Sequence, residues 1–333
     1  MDIKEVARRA RVSTATVSRV LNGVPKVRPA TAERVLRVVE KLRYVPNTSA
    51  RNLRTGRTKL LGIIVSDINN PFFSGLIDGL ERLARERGMG VICSHTDYRP
   101  ARMLQALELM VEHNVDGIAI CTSETNPAAY EFARRRCPLV LMNQEGPRTE
   151  FTNLCIDYDA GLAEAVEHLR RLGHRRIGFI GGPATFESTR ARTRAFLKVM
   201  KAASLELRPS WRVEADLHMD GGQAAMEKLL AANTRPTAVL CTNDLMALGA
   251  LRAAHRAGLD VPADLSIIGY DNLSFCEMVS PPLDSIEIPR AELAAGLFAL
   301  LQPAPKRKKS EKSATLPAIR TRLVLRSSSA APA

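Results

Sequence analysis

IKEVARRARVSTATVSRVLNG, residues 3–23, twice sets apolar side chains at helical spacing. Ile3, Val6, Ala7 and Ala10 recur at the interval of one helix face, and Val17, Val20 and Leu21 do so again. Ser13 stands between the two runs. Its hydroxyl can accept an orphan N–H of the following turn, which predicts the N-cap of a helix from Thr14 to about Leu21. Asn22 and Gly23 tolerate a left-handed backbone and predict the end of that helix. Pro29 suits the first turn of a third helix, read as Pro29 to Arg43. Val35, Leu36, Val38, Val39 and Leu42 would pack it onto the other two. Three short helices so spaced make a small all-α helix-turn-helix head.

In such a unit the second helix enters the DNA major groove by its N-terminal end. That sets Thr14, Ala15 and Thr16 toward base edges, with Arg19 one turn further along the exposed side. An arginine can fork to O6 and N7 of guanine, so Arg19 is the candidate for base readout, a plain phosphate contact being the alternative. Thr16 and Ser18 are candidates for phosphate contacts, which position a protein without specifying sequence.

Charge placement agrees. The 333 residues carry a formal net charge of +13, yet residues 1–59 hold 15 basic and 4 acidic side chains, so the head is strongly basic and the rest close to neutral. A basic head on a near-neutral body is the footprint of a phosphate-backbone binder. The N-terminus has charges throughout and no apolar core, so no signal peptide is expected. No apolar run approaches the length of a membrane span. The six cysteines lie far apart without a C-x-x-C pair, several in apolar runs, and read as buried reduced thiols of a cytoplasmic protein.

With YVPNTSARNLRTGRTKLLGIIV, residues 44–65, the front of the chain resembles the LacI family of bacterial repressors, and the likeness continues through nearly the whole length. Arg11 departs from the family, which usually has a small turn residue there; it would tilt the turn or add a phosphate contact. Residues 48–53 form a segment too short to be a stable helix alone, expected to fold on DNA. The resemblance implies hinge contacts to DNA from Asn47, Ser49, Arg51 and Leu53. It also implies two hinge helices in the minor groove, Leu53 acting as the wedge that kinks a base step. The alternative is that Leu53 packs on its own subunit.

From Leu60 onward, apolar runs alternate with amphipathic stretches. LLGIIV, MGVIC, GIAIC, PLVLM, RIGFIG, TAVLC and LSIIGY read as buried parallel strands, with helices at about 72–88, 101–114, 160–172, 188–203, 220–232 and 243–257. Repeated βα units predict doubly wound sheets, and the pattern restarts near 155–160, which suggests two lobes. The resemblance implies a periplasmic-binding-protein-like α/β body with crossovers near 156–160, 284–290 and 314–319. The expected division is a head at 1–45, a hinge at 46–58, and a body at 59–333. The first lobe takes about 59–157 and 287–315, the second about 158–286 and 316–333. AIRTRLVL, residues 318–325, reads as the last strand, and PAPKRKKSEKS, residues 303–313, as an exposed loop or a second nucleic-acid patch.

Ligands of open α/β sheets bind beyond the carboxyl ends of strands. Asp67, Asn69, Phe73, Asn143, Asn243 and Asp271 fall after such ends, and Arg192 lies in the helix after RIGFIG. The resemblance implies that Arg192 and Asp271 hold a ligand's oxygens. It carries over Asn243 and Phe73 as well, and sets Ser188, Asp157 and Leu217 at positions that vary with ligand. Asp244 and Asp271 also read as simple caps or turns. Leu217 and Gln144 stand where some relatives have aromatics, which argues against strong ring stacking there. GFIGGP lacks the spacing of a phosphate loop, and no metal, nucleophile-elbow or dinucleotide motif appears. His168 and His174 read as solvated or capping.

These residues point to a ligand-gated DNA-binding repressor without a cofactor. Its partners would be a palindromic double-stranded operator, a sugar-like small-molecule effector and a second copy of the chain, in a homodimer or a tetramer, and no membrane. The competing readings are a cytoplasmic binding protein or enzyme with a vestigial head, and an architectural DNA binder whose body only dimerises.

Overall fold

A computed structural model describes residues 2–21, 24–44, 57–142, 151–302 and 317–332. The chain separates into two compact units, Met1–Thr58 and Lys59–Ala333.

The first unit contains α1 (Ile3–Ala10), α2 (Thr14–Leu21) and α3 (Pro29–Lys41). Val6, Ala7, Ala10, Val17, Val35 and Tyr44 make its buried core. Ser13 Oγ accepts the N–H of Thr16 at 3.2 Å, the cap its position predicts. α1 ends at Arg11, which adopts φ 52° and ψ 49°. A left-handed residue here explains why a small residue suits the position, and Arg11 holds it at a steric cost. α3 stops two residues before the expected end, because Arg43 turns to φ 46°. Arg34 Nε donates to Ala10 O at 2.9 Å and ties α3 to α1. Asn22 and Gly23 lie outside the described residues.

The second unit holds two sheets. The first is built from β1 (Leu60–Val65), β2 (Gly90–His95), β3 (Gly117–Cys121), β4 (Leu139–Met142) and β5 (Thr152–Leu154) in the order β2-β1-β3-β4-β5, all parallel. Around it lie α4 (Pro71–Glu86), α5 (Pro100–Glu112) and α6 (Pro127–Arg134). After β6 (Ile156–Asp157) and α7 (Tyr158–Arg171) the second sheet begins. It comprises β7 (Ile177–Gly181), β8 (Arg212–Glu214), β9 (Ala238–Cys241), β10 (Ser266–Asp271), β11 (Asp284–Glu287) and β13 (Arg322–Val324), in the order β13-β11-β10-β9-β7-β8. Only β13 is antiparallel. Its helices are α8 (Glu187–Ala202), α9 (Met219–Leu230) and α10 (Asp244–Arg256). α11 (Arg290–Leu301) then returns to the first sheet, where it packs on α4 and on β3, β4 and β5.

The expected strands and helices match these elements to within a few residues, but α6 and α11 and four short strands have no counterpart among them. β5, β6, β8 and β11 are short or polar and leave no apolar run to read. α11 buries Leu293, Ala294, Leu297, Phe298 and Leu301, but its exposed face carries Ala291, Ala295 and Ala299, so no amphipathic period marks it. The last strand breaks in two. β12 (Ile319–Arg320) pairs with β6, and β13 joins β11. The break falls at Thr321, whose hydroxyl accepts from Gly161 N at 2.9 Å and donates to Asp157 O at 2.7 Å.

His174 is buried and His168 half-buried. They hold the C-terminal segment against the second sheet: His168 Nε2 meets Ser329 Oγ at 2.8 Å, and His174 bridges Thr237, Ser266 and Ala330. None of the six cysteines is joined in a disulfide; three are buried and three half-buried. Residues 303–316 lie outside the described residues.

Candidate ligand cleft and nucleic-acid interface

On α2, Thr14, Ala15 and Arg19 are exposed, and Thr16 and Ser18 are half-buried. Val17 faces inward and pins the helix. Ala15 and Arg19 are four residues apart and therefore share one face. The Thr16 hydroxyl lies 2.9 Å from Ser13 Oγ, so the cap and the helix start support one another. Asn47, Ser49, Arg51 and Leu53 lie outside the described residues.

In the body, strand order reverses between β1 and β3 in one sheet and between β7 and β9 in the other. These reversals are where open sheets leave a crevice. The residues after those strands meet across one cleft. Thr122 and Ser123 come from the first sheet, and Asn243 from the second. Phe73, Ser188, Arg192, Leu217 and Asp271 join them. Asp67 is buried but outside this lining, and its Oδ1 accepts from Asn69 N at 2.8 Å. Asn69 is exposed. Asp157 caps α7, accepting from Ala160 N at 3.2 Å. Asn143 and Gln144 lie outside the described residues.

The polar centre is Arg192. Its Nη2 lies 3.4 Å from Asp271 Oδ1, its Nη1 donates to Thr242 O, and its guanidinium carbon lies 4.5 Å from the ring centroid of Tyr270 and 5.2 Å from that of Tyr158. Its Nε is buried without a protein partner. Burial works against the charge, but Asp271 and the two tyrosines more than offset it and hold the guanidinium protonated. Burial pushes the Asp271 carboxyl upward, and Arg192 opposes that. Asn243 Oδ1 caps α10 through Met246 N at 2.8 Å, while its Nδ2 donates to Leu217 O at 2.8 Å. Asp244 is fully buried and structural: it accepts from Ser285 Oγ at 2.6 Å, Leu273 N at 2.8 Å and Cys276 Sγ at 3.2 Å.

Sequence reasoning missed Asn70, Tyr98, Thr122, Ser123 and Tyr158 in this lining. Thr122 and Ser123 follow β3, and Tyr98 follows β2, so the strand-end rule that marked Asn243 applies to them too. Tyr158 opens α7 directly after β6, a two-residue strand with no apolar run to mark its end in the sequence. With Phe73, the two tyrosines supply aromatic faces that Leu217 does not.

Elements of the two sheets meet across the cleft mouth. Ser188 Oγ donates to Ser123 Oγ at 2.9 Å, and Glu187 N to Ser123 O at 3.0 Å. The Tyr98 ring stacks on Phe186 with centroids 5.5 Å apart, and His218 Nε2 lies 3.9 Å from Asp67 Oδ2. The cavity between them is about 40 Å³, room for a few waters at most.

Among the described residues no cluster of three His, Cys, Asp or Glu could hold a metal, and no helix is long and apolar enough to cross a membrane.

Residues 2–47 match the model for bacterial regulatory proteins of the lacI family, and residues 166–329 that of a periplasmic binding protein-like domain. The HTH-type transcriptional repressor PurR of Pasteurella multocida is 36% identical over 302 residues, 90% of each chain. Among solved structures, a Lac repressor dimer bound to operator and the anti-inducer ONPF superposes with a TM-score of 0.87 at 26% identity, covering 99% of each chain. The transcriptional regulator CelR in complex with cellobiose superposes with a TM-score of 0.73 at 28% identity, covering 98% of this chain and 99% of that one.

Proposed function

The chain belongs to the lacI family of bacterial regulatory proteins, and from that premise we propose that its grip on an operator is set by a neutral, polyhydroxylated small molecule held at Arg192 and Asp271. The protein is a DNA-binding transcriptional regulator under small-molecule control and not an enzyme.

The buried Arg192–Asp271 pair carries the proposal. Guanidinium and carboxylate together present donors and acceptors to neighbouring hydroxyls, the chemistry of a sugar or nucleoside ring. Among the described lining residues these are the only formal charges, and they cancel. A charged ligand would enter desolvated and uncompensated, which is costly. A neutral ring also suits the faces of Phe73 and Tyr98, with Asn243, Ser188 and Leu217 shaping its rim. The sugar in the CelR structure supports the same ligand class.

In the head, Arg19 reads a base, and Thr14, Ala15, Thr16 and Ser18 set the helix in the groove. Asn47, Ser49, Arg51 and Leu53 extend the contact into the minor groove. One such head reads half of a palindrome, so the working form is a homodimer. Ligand and operator are coupled because the lobes have more than one setting and the ligand prefers one of them.

A thermal-shift screen of pentoses, hexoses, disaccharides, nucleosides and sugar acids tests this. Neutral sugars or nucleosides should raise the melting temperature and change operator affinity. A response confined to sugar acids or phosphates would reject the neutral-ligand reading.

A further inference from the structure

Arg290 opens α11, the first helix after β11 takes the chain out of the second sheet. Its side chain spans the two lobes. The stem lies on α4: a Cβ added to Gly75 would come within 3.1 Å of Arg290 Cδ and 3.2 Å of Nε. That is one turn from Phe72 and Phe73, which line the cleft. The guanidinium reaches the opposite lobe, where Nη1 donates to Asp271 O at 2.9 Å and Nη2 to Asn272 O at 3.1 Å.

Both acceptors sit on unusual backbone. Asp271 has φ 106° and Asn272 φ 51°, conformations that persist only where the surroundings impose them. Turned carbonyls need donors, and Arg290 supplies one to each. Arg326 holds the far side, with Nη2 donating to Asn272 Oδ1 at 2.7 Å and Nη1 to Leu283 O at 3.0 Å. The carboxylate that meets Arg192 is thus aimed by a loop supported from the other lobe.

We propose that Arg290 is a positioning residue that ties the aim of Asp271 to the setting of the two lobes. When the lobes part, Arg290 travels with α4 and α11. The carbonyls lose their donors, the loop relaxes, and Asp271 turns away from Arg192. Occupation of that pair by an effector and the Arg290 tie are therefore coupled. This last step rests on the cleft being the effector site; the tie between the lobes does not.

The amide of Glu187 donates to Ser123 O across the cleft mouth at 3.0 Å, and its hydrogen exchange reports closure without any ligand. In the full-length protein, Arg290→Ala should speed exchange in peptides spanning 183–190 by about tenfold or more, because two charge-assisted bonds are lost. Arg290→Lys, which keeps the charge but not the fork, should fall between. Peptides of α1 and α2 should not change. Acceleration confined to 269–276, with 183–190 unaffected, would mean local loop support alone and would overturn the proposal. If Arg290→Ala loses its fold, seen as uniform exchange through β9 and β10, Arg290→Lys decides by the same criterion. No effector enters this experiment, so its failure is separable from failure of the ligand screen.

Discussion

Arg192 and Asp271 face each other at 3.4 Å with side chains 11% and 4% exposed, one from a helix of the second sheet and the other from a strand end. Tyr158 and Tyr270 flank the guanidinium. A buried pair of this kind is weak evidence for stability but a strong constraint on orientation.

Removing the anion should therefore be costly. Asp271→Ala leaves a buried guanidinium without its counterion and is expected to lower the stability of the body by about 3 kcal/mol. Asp271→Asn keeps an acceptor and should cost less. Urea unfolding of both variants measures the difference, and equal midpoints would contradict this account of the pair.

Arg19 is exposed on the same face as Ala15. Arg19→Ala should weaken operator binding by about 1–3 kcal/mol and relax preference at one base pair. Competitive binding across single-base operator variants reads this out. A uniform loss over all variants, with a shallower salt dependence, would make Arg19 a phosphate contact instead.

Arg11 holds φ 52° at the end of α1. Arg11→Gly removes the Cβ clash and is expected to stabilise the head by about 1 kcal/mol. Slower amide exchange in α1 and α2 would register the gain. Unchanged or faster exchange would show that the arginine side chain contributes more than its backbone costs.

His174 makes the body sensitive to acid. Its Nε2 faces Ala330 O at 2.8 Å, and a carbonyl only accepts, so Nε2 carries the proton and Nδ1 accepts from Thr237 Oγ1. Burial holds its pKa below the usual value of 6.5. The unfolded chain then binds more protons than the folded one between 6.5 and the lowered value. Stability should thus fall as pH drops through that window and level off beneath it. His168, also lowered by burial, acts in the same direction. In His174→Gln the slope of unfolding free energy against pH should shrink; an unaltered slope would place the sensitivity elsewhere.

Much of the body could be read in advance because its central strands are buried on both faces. LLGIIV, GIAIC and RIGFIG have no partly polar alternative to confuse them. Ser13, Pro29 and the basic bias likewise act locally, through one hydroxyl, one fixed φ and summed charge. In the cleft, Arg192, Asn243 and Asp271 could be named from strand ends and from resemblance. Tyr98 and Ser123 obey the same strand-end rule, whereas Tyr158 follows only the two-residue β6, too short to be read from the sequence.

By itself, then, the order of residues determined a basic three-helix head and a run of βα units, because periodicity, capping and burial are set by neighbours a few positions away. Only the tertiary structure decided that Arg290 holds Asp271 from another lobe, that Thr321 splits the last strand, and that His174 clasps the C-terminal segment. Each of these joins residues 19 or more positions apart. Partners so distant are chosen by how the sheets stack and cross over, and no local pattern in the chain records that choice.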